Sequence, residues 1–173
     1  GFMRENKTKT LVLTALLAAL VTIATVAIRI PTFKGYIHLG DTLVYLSGII
    51  LGPLYGPLAA GIGSLFADVF AGFPNWALPS LIIKSLDALV FGIIFKNVFL
   101  TKINMKKLIF KFSISVIIGS TIMVVGYFIV GGLFYGFKPS IASIPMNIVQ
   151  GIGGGIIAFP LVVALRNKNI LNE

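Results

Sequence analysis

Residues 42–67 read TLVYLSGIILGPLYGPLAAGIGSLFA between Asp41 and Asp68, and how this run divides decides the fold. It carries no charge and is long enough to cross a bilayer, for which about 20 apolar residues suffice. Gly52-Pro53 and Gly56-Pro57 stand in its middle. Proline lacks an N–H and its ring clashes with the preceding turn, so it ends or kinks a helix. The run is therefore predicted to form two helices, 41–52 and 54–72. The first is short, near 18 Å at roughly 1.5 Å per residue, and needs its flanks to span.

Working outward, Leu11 to Ile28, Phe112 to Phe137 and Pro139 to Leu165 are also free of charge. Together with 76–97 they predict six transmembrane helices: 8–29, 41–52, 54–72, 76–97, 107–132 and 141–166. The 173 residues are 57% hydrophobic and 11% charged, against about 25% charged in soluble domains. The expected class is an all-α integral membrane bundle, one domain over 1–173. Period-2 alternation is absent, which argues against a β-barrel. With no cysteine there is no disulfide, thiolate metal site or thiol nucleophile, and a single histidine argues against a histidine-rich metal site. Gly1 and Phe2 precede Met3 and read as an added remnant, and no cleavable signal is needed ahead of so long a first helix.

The net charge of +9 could suggest nucleic acid, but the basic residues collect in loops between apolar helices. Arg4, Lys7, Lys9, Lys96, Lys102, Lys106, Lys107, Lys111, Arg166 and Lys168 fall on one side of a six-helix topology, ten in all. Arg29, Lys34 and Lys138, three in all, fall on the other. The positive-inside rule then puts both termini in the cytoplasm. Merging the second and third helices would place the Lys96 to Lys111 cluster opposite the N-terminus, against that rule.

Lys84 is left inside the membrane, with Asp68 and Asp87. An intramembrane charge is costly and commonly functional. On this topology Lys84 lies roughly 12 Å below the outer surface and Asp87 roughly 17 Å, with Asn147 and Gln150 at roughly 9 to 14 Å. Ser80, Lys84, Asp87 and Phe91 share one helix face by their i, i+4, i+7 spacing. Ser143, Asn147, Gln150 and Gly154 share another, and Ser64 pairs with Asp68. Three polar faces at similar depth are expected to meet in a pocket open to the outside. The competing reading is a structural ion pair of Lys84 with Asp68 or Asp87, and interhelical hydrogen bonds from Asn147 and Gln150. The loop Tyr36-Ile-His38-Leu-Gly-Asp41 caps the same cluster, although Asp41 could simply cap the next helix. Phe73, Asn75, Trp76, Tyr135 and Phe137 come from the other outer loops, as pocket walls or as an interfacial belt. Aromatic walls with a few polar groups suit a planar heterocycle. Lys84 is expected to donate to a ligand hydroxyl or carboxylate, Asp68 to pair with it or accept a ring N–H, Asn147 and Gln150 to read ring edges, and Trp76 and Tyr36 to stack.

Small residues spaced by four recur: Ala15 and Ala19, Gly52 and Gly56, Gly132 and Gly136, Gly151 and Gly155. Such spacing permits close helix approach, inside the protein or to a partner. No GxxxxGK[ST], HExxH or GxSxG motif occurs, so no ATP hydrolysis or hydrolase chemistry is expected of this chain. Uphill transport would draw on an ion gradient or on a partner. A self-sufficient secondary carrier is one alternative, and a small outer-face enzyme working on Asp68 and Asp87 a weaker one.

The run from Tyr36 to Asp41, GIILGPL at 48–54, Gly61 to Asp68 (GIGSLFAD), and Lys84 with Asp87 resemble the substrate-binding S components of energy-coupling factor (ECF) vitamin transporters. The resemblance covers nearly the whole chain and is nearest the branch handling pyridoxine or hydroxymethylpyrimidine. It implies high-affinity vitamin binding at the outer face of a prokaryotic cell membrane. It also implies a module of one transmembrane T protein and two ATPases, which use the ATP, so that this chain needs no cofactor. Ala15 and Ala19 would dock on the T protein, and the loop carrying Tyr36, His38 and Asp41 would act as a lid.

Overall fold

In a computed structural model, which describes residues 6–32, 35–98, 101 and 103–167, the chain forms a helical bundle with one small hairpin at its edge. The helices are α1 (Lys7–Val26), α2 (Gly40–Phe70), α3 (Pro74–Ile94), α4 (Met105–Tyr135), the single turn α5 (Phe137–Ser140) and α6 (Ser143–Asn167). Five spans, the last running Phe137–Asn167 through α5 and α6, are long and apolar enough to cross a membrane. The surface is apolar, with Leu11, Leu54, Phe70, Leu78, Phe110, Ile117, Leu133 and Ile156 all strongly exposed. In water such a surface would be a liability; against lipid it is the expected solvent contact.

Helices two and three of the sequence reading emerge as one continuous element, α2, with a break inside it. Gly52 adopts φ 77° and ψ −171°, a conformation that side-chain-bearing residues rarely take. The chain doubles back there. On a straight helix Asp41 and Asp68 would stand about 40 Å apart, yet both line one cavity. A Cβ on Gly56 would lie 2.7 Å from the Cα of Gly48, a contact that only a reversed chain can make. The two arms of α2 pack on α3: Gly92 of α3 lies against Gly52 and Pro53, and Gly48 against the Ala88 carbonyl. Ser85 donates to the Pro57 carbonyl at 3.0 Å. Glycine lets these backbones approach closely enough to exclude lipid.

The loop expected over 29–40 is more ordered than the sequence indicates. β1 (Arg29–Thr32) pairs antiparallel with β2 (Gly35–His38), Arg29 opposite His38. These are the only strands among the described residues. Four residues, Arg-Ile-Pro-Thr, make too short a pattern to separate from a loop by periodicity.

The core fills the end of the bundle near the Gly52 reversal. Tyr45 and Phe91 stack with centroids 4.3 Å apart, Phe112 meets Phe91 edge-on at 5.8 Å, and Phe159 meets Phe112 at 5.2 Å.

Candidate functional site

Lys84 is 6% exposed, and its ammonium donates to Asp41, at the first turn of α2. It also donates to the Met123 sulfur at 2.8 Å and lies 5.5 Å from the centre of the Tyr127 ring. The sequence pointed to Asp68 or Asp87 as the partner of Lys84. Neither takes that role: Asp41, 43 residues away in sequence, forms the ion pair. Asp41 does not cap α2 with its side chain, since it is fully buried and turned into the bundle.

This pair lies beside a cavity of about 500 Å³. His38, Asp41, Asp68, Trp76, Lys84, Asn147 and Gln150 all line it, so most of the residues singled out from sequence do converge. Asn75 does not line it; it is exposed and donates to the Tyr135 hydroxyl at 3.1 Å. Asp87 does not line it either. It is sealed one turn deeper, fully buried beside Gly119, and neither carboxylate oxygen has a hydrogen-bond partner among the described residues. The side chain of Tyr36 lies outside the described residues; its backbone is in β2, opposite Pro31.

Pro139 and Ser140 of α5 line the cavity and went unseen in the sequence, as did Met123, Tyr127 and Gly131 of α4. For α4 the signal was available: Met123, Tyr127 and Gly131 recur at i, i+4, i+8, the spacing of one helix face. Tyr127 shares a 2.8 Å hydrogen bond with Ser80. Its ring is 5.7 Å from Trp76, which also neighbours Tyr135 at 6.2 Å, so three aromatic rings form one wall.

The hairpin is held over this cavity by Gln150. Its Nε2 donates to the His38 carbonyl at 2.7 Å, and its Oε1 accepts from the His38 N–H at 3.2 Å. The amide thus pairs with the end of β2 much as a neighbouring strand would. The Gly40 N–H donates to His38 Nδ1 at 3.2 Å, and Asp41 follows at once with its bond to Lys84. Close packing supports the junction, since Gly154 abuts Asp41 and accepts from the Thr42 hydroxyl at 3.1 Å through its carbonyl. Gln150→Leu keeps the bulk and removes both bonds to the His38 backbone. At roughly 0.5–1.5 kcal/mol per bond, the open population of the hairpin is expected to rise about tenfold. Acrylamide quenching of Trp76, the only tryptophan, measures this; unchanged quenching would mean that the hairpin is held by other contacts.

Ala15 and Ala19 are exposed on the outer face of α1, whereas Leu17, Val21 and Ala24 are buried on its inner face. The glycine pairs serve internal contacts instead: Gly155 packs on Val116, Gly151 on Ser120, and Gly132 on Phe137.

A multi-pass helical membrane protein with a polar cavity at one end of its bundle is the class that fold and site define. The chain belongs to the family of ECF-type riboflavin transporter S components, whose model matches residues 5–167. It is a transport component and not an enzyme. The thiamine precursor transporter HmpT of Lactococcus lactis subsp. cremoris is 33% identical over 132 residues, covering 76% of this chain and 70% of that one. A Pyrococcus woesei protein described as an uncharacterized protein in a gap 3′ region is 34% identical over 151 residues, covering 87% and 96%. The fold matches that of a solved S component of a bacterial ECF transporter with a TM-score of 0.71, at 24% identity over 94% of this chain and 98% of that one.

Proposed function

We propose that this protein binds a small water-soluble vitamin or vitamin precursor, a planar heterocycle, at the outer face of a prokaryotic cell membrane. It would deliver that ligand inward together with a T protein and two ATPases. The observation that carries this reading is the cavity of about 500 Å³ where Asp68, Trp76, Tyr127 and Asn147 meet beneath the β1–β2 hairpin. Rings of Trp76, Tyr127 and Tyr135 offer flat apolar contact, and the polar groups are few and convergent, as in small-molecule sites. A riboflavin transporter component gives the family model its description, and one relative is called a thiamine precursor transporter. The ligand class is thus heterocyclic in both.

The doubling back of α2 at Gly52 supports a topology of six crossings, each arm of α2 traversing part of the bilayer. With six crossings the lysine-rich segment around Lys106 and Lys107 and both termini share the cytoplasmic side, and the cavity opens outward. Ala15 and Ala19 then form an exposed small-residue strip on which the T protein's helices can sit closely.

Native mass spectrometry of the purified protein tests the reading, and a co-purifying heterocyclic vitamin or precursor is expected. Uptake by the lone chain in vesicles, driven by a proton or sodium gradient, would replace the reading with that of a secondary carrier.

A further inference from the structure

The charges around the cavity do not balance. Asp41 and Asp68 line it and Asp87 lies just beneath, while Lys84 is the one lysine or arginine that lines it among the described residues. That ammonium is already committed: it donates to Asp41 and to the Met123 sulfur. Asp87 is sealed away from the cavity by its full burial. Asp68 remains. It is half-buried, it lines the cavity near the end of α2, the Ser80 hydroxyl is near enough to bond its carboxylate, and its Oδ2 has no hydrogen-bond partner among the described residues. The aromatic wall of Trp76, Tyr127 and Tyr135 lines the same space. Aromatic faces carry the negative end of a quadrupole and attract cations, most of all where water is excluded. A carboxylate at this depth with one oxygen unbonded and no cation committed to it is best met by a partner that brings positive charge or N–H donors.

From this arrangement we propose that the ligand carries a positive charge or an amine-bearing, N–H-rich edge anchored on Asp68, and that carboxylate- or phosphate-bearing compounds are refused. The proposal rests on the vitamin-site reading and narrows it. It also reassigns Lys84. The sequence suggested a lysine donating to a ligand hydroxyl or carboxylate; here the lysine is the fixed counter-ion of Asp41. An anionic ligand would have to draw Lys84 away from Asp41 and leave that buried carboxylate bare, while facing Asp68 as well.

The purified full-length protein is titrated with four probes, following Trp76 fluorescence and binding heat. They are hydroxymethylpyrimidine, which bears an exocyclic amine, its analogue with a carbonyl in place of that amine, pyridoxal phosphate, and riboflavin. The amine probe is expected to bind, with the carbonyl analogue at least tenfold weaker and the phosphate-bearing probe without effect. Asp68→Asn should weaken the amine probe at least tenfold and abolish the gap between amine and carbonyl forms. Asp68→Glu, which keeps the charge, should retain that gap, and a thermal melt confirms that each variant folds. Tight binding of pyridoxal phosphate, binding of riboflavin alone, or an Asp68→Asn variant that binds the amine probe unchanged would overturn the charge assignment and leave the vitamin-site reading standing. Failure of the folded wild type to bind any of the four would overturn both.

Discussion

Lys84→Met is expected to destabilise the protein by about 3–5 kcal/mol, the usual cost of stripping one partner from a buried ion pair. For a chain of this size that corresponds to a fall of roughly 10 °C in the melting temperature. The reason is Asp41. It is fully buried, one of its oxygens accepts from Lys84, and the other has no partner among the described residues. Without the ammonium, a bare carboxylate would remain where neither water nor lipid can solvate it. Asp41→Asn in the same chain should recover most of the lost stability, since an amide is far cheaper to bury than an unpaired charge. Ligand affinity should fall at least tenfold in Lys84→Ala, or about 1.4 kcal/mol, because Asp41, His38 and Gln150 form one junction at the cavity mouth. Detergent-phase thermal melts of the single and double variants measure the first effect, and calorimetric titration the second. A single variant with an unchanged melting temperature would show that the pair carries no structural weight.

Ala15→Trp combined with Ala19→Trp is expected to abolish uptake by the assembled transporter and leave ligand binding by the isolated chain unchanged. Both alanines face outward, and their substitution leaves the buried side of α1 untouched: Leu17 and Val21 stay packed, and the Thr22 hydroxyl keeps its 2.9 Å bond to the Gly63 carbonyl. What changes is the outer contour, where bulky rings hold off any helix that approaches. Uptake of radiolabelled ligand by proteoliposomes containing the T protein and ATPases, set beside binding in detergent, separates the two effects. If binding is lost as well, the alanines pack within the protein and the docking role falls.

The long uncharged runs revealed the helices, because a backbone in lipid must satisfy its own hydrogen bonds and only a helix does so within one segment. Ser80, Lys84, Asp87 and Phe91 were legible as one face, and all four are buried in α3. The same arithmetic placed Ser143, Asn147 and Gln150 together on α6, and all three line the cavity. It passed over Tyr127, because the residues four positions either side of it on that face, Met123 and Gly131, are not polar. It also could not separate Asp87 from the site, since a turn of depth decides whether a side chain on the right face reaches the cavity or the packed core.

Local spacing allowed Asp87, three residues away on the same helix, as the partner of Lys84 and left Asp68 open beside it. Tertiary structure chose Asp41. The reversal at Gly52 carries the start of α2 to the cavity end of the bundle, and Gly48 and Gly154 let α3 and α6 close on it. Gln150 shows the same limit: its place beside the cavity was legible, but its grip on both backbone groups of His38 was not. The sequence by itself determined a lipid-embedded helical bundle, the faces that carry polar groups and the place where the long run breaks, because hydrophobic length, helical period and proline chemistry act within one segment. Which carboxylate holds the lysine, which is left lining the cavity without it and which is sealed away were decided only when separate segments packed, because partnership between buried charges depends on how closely two backbones can approach.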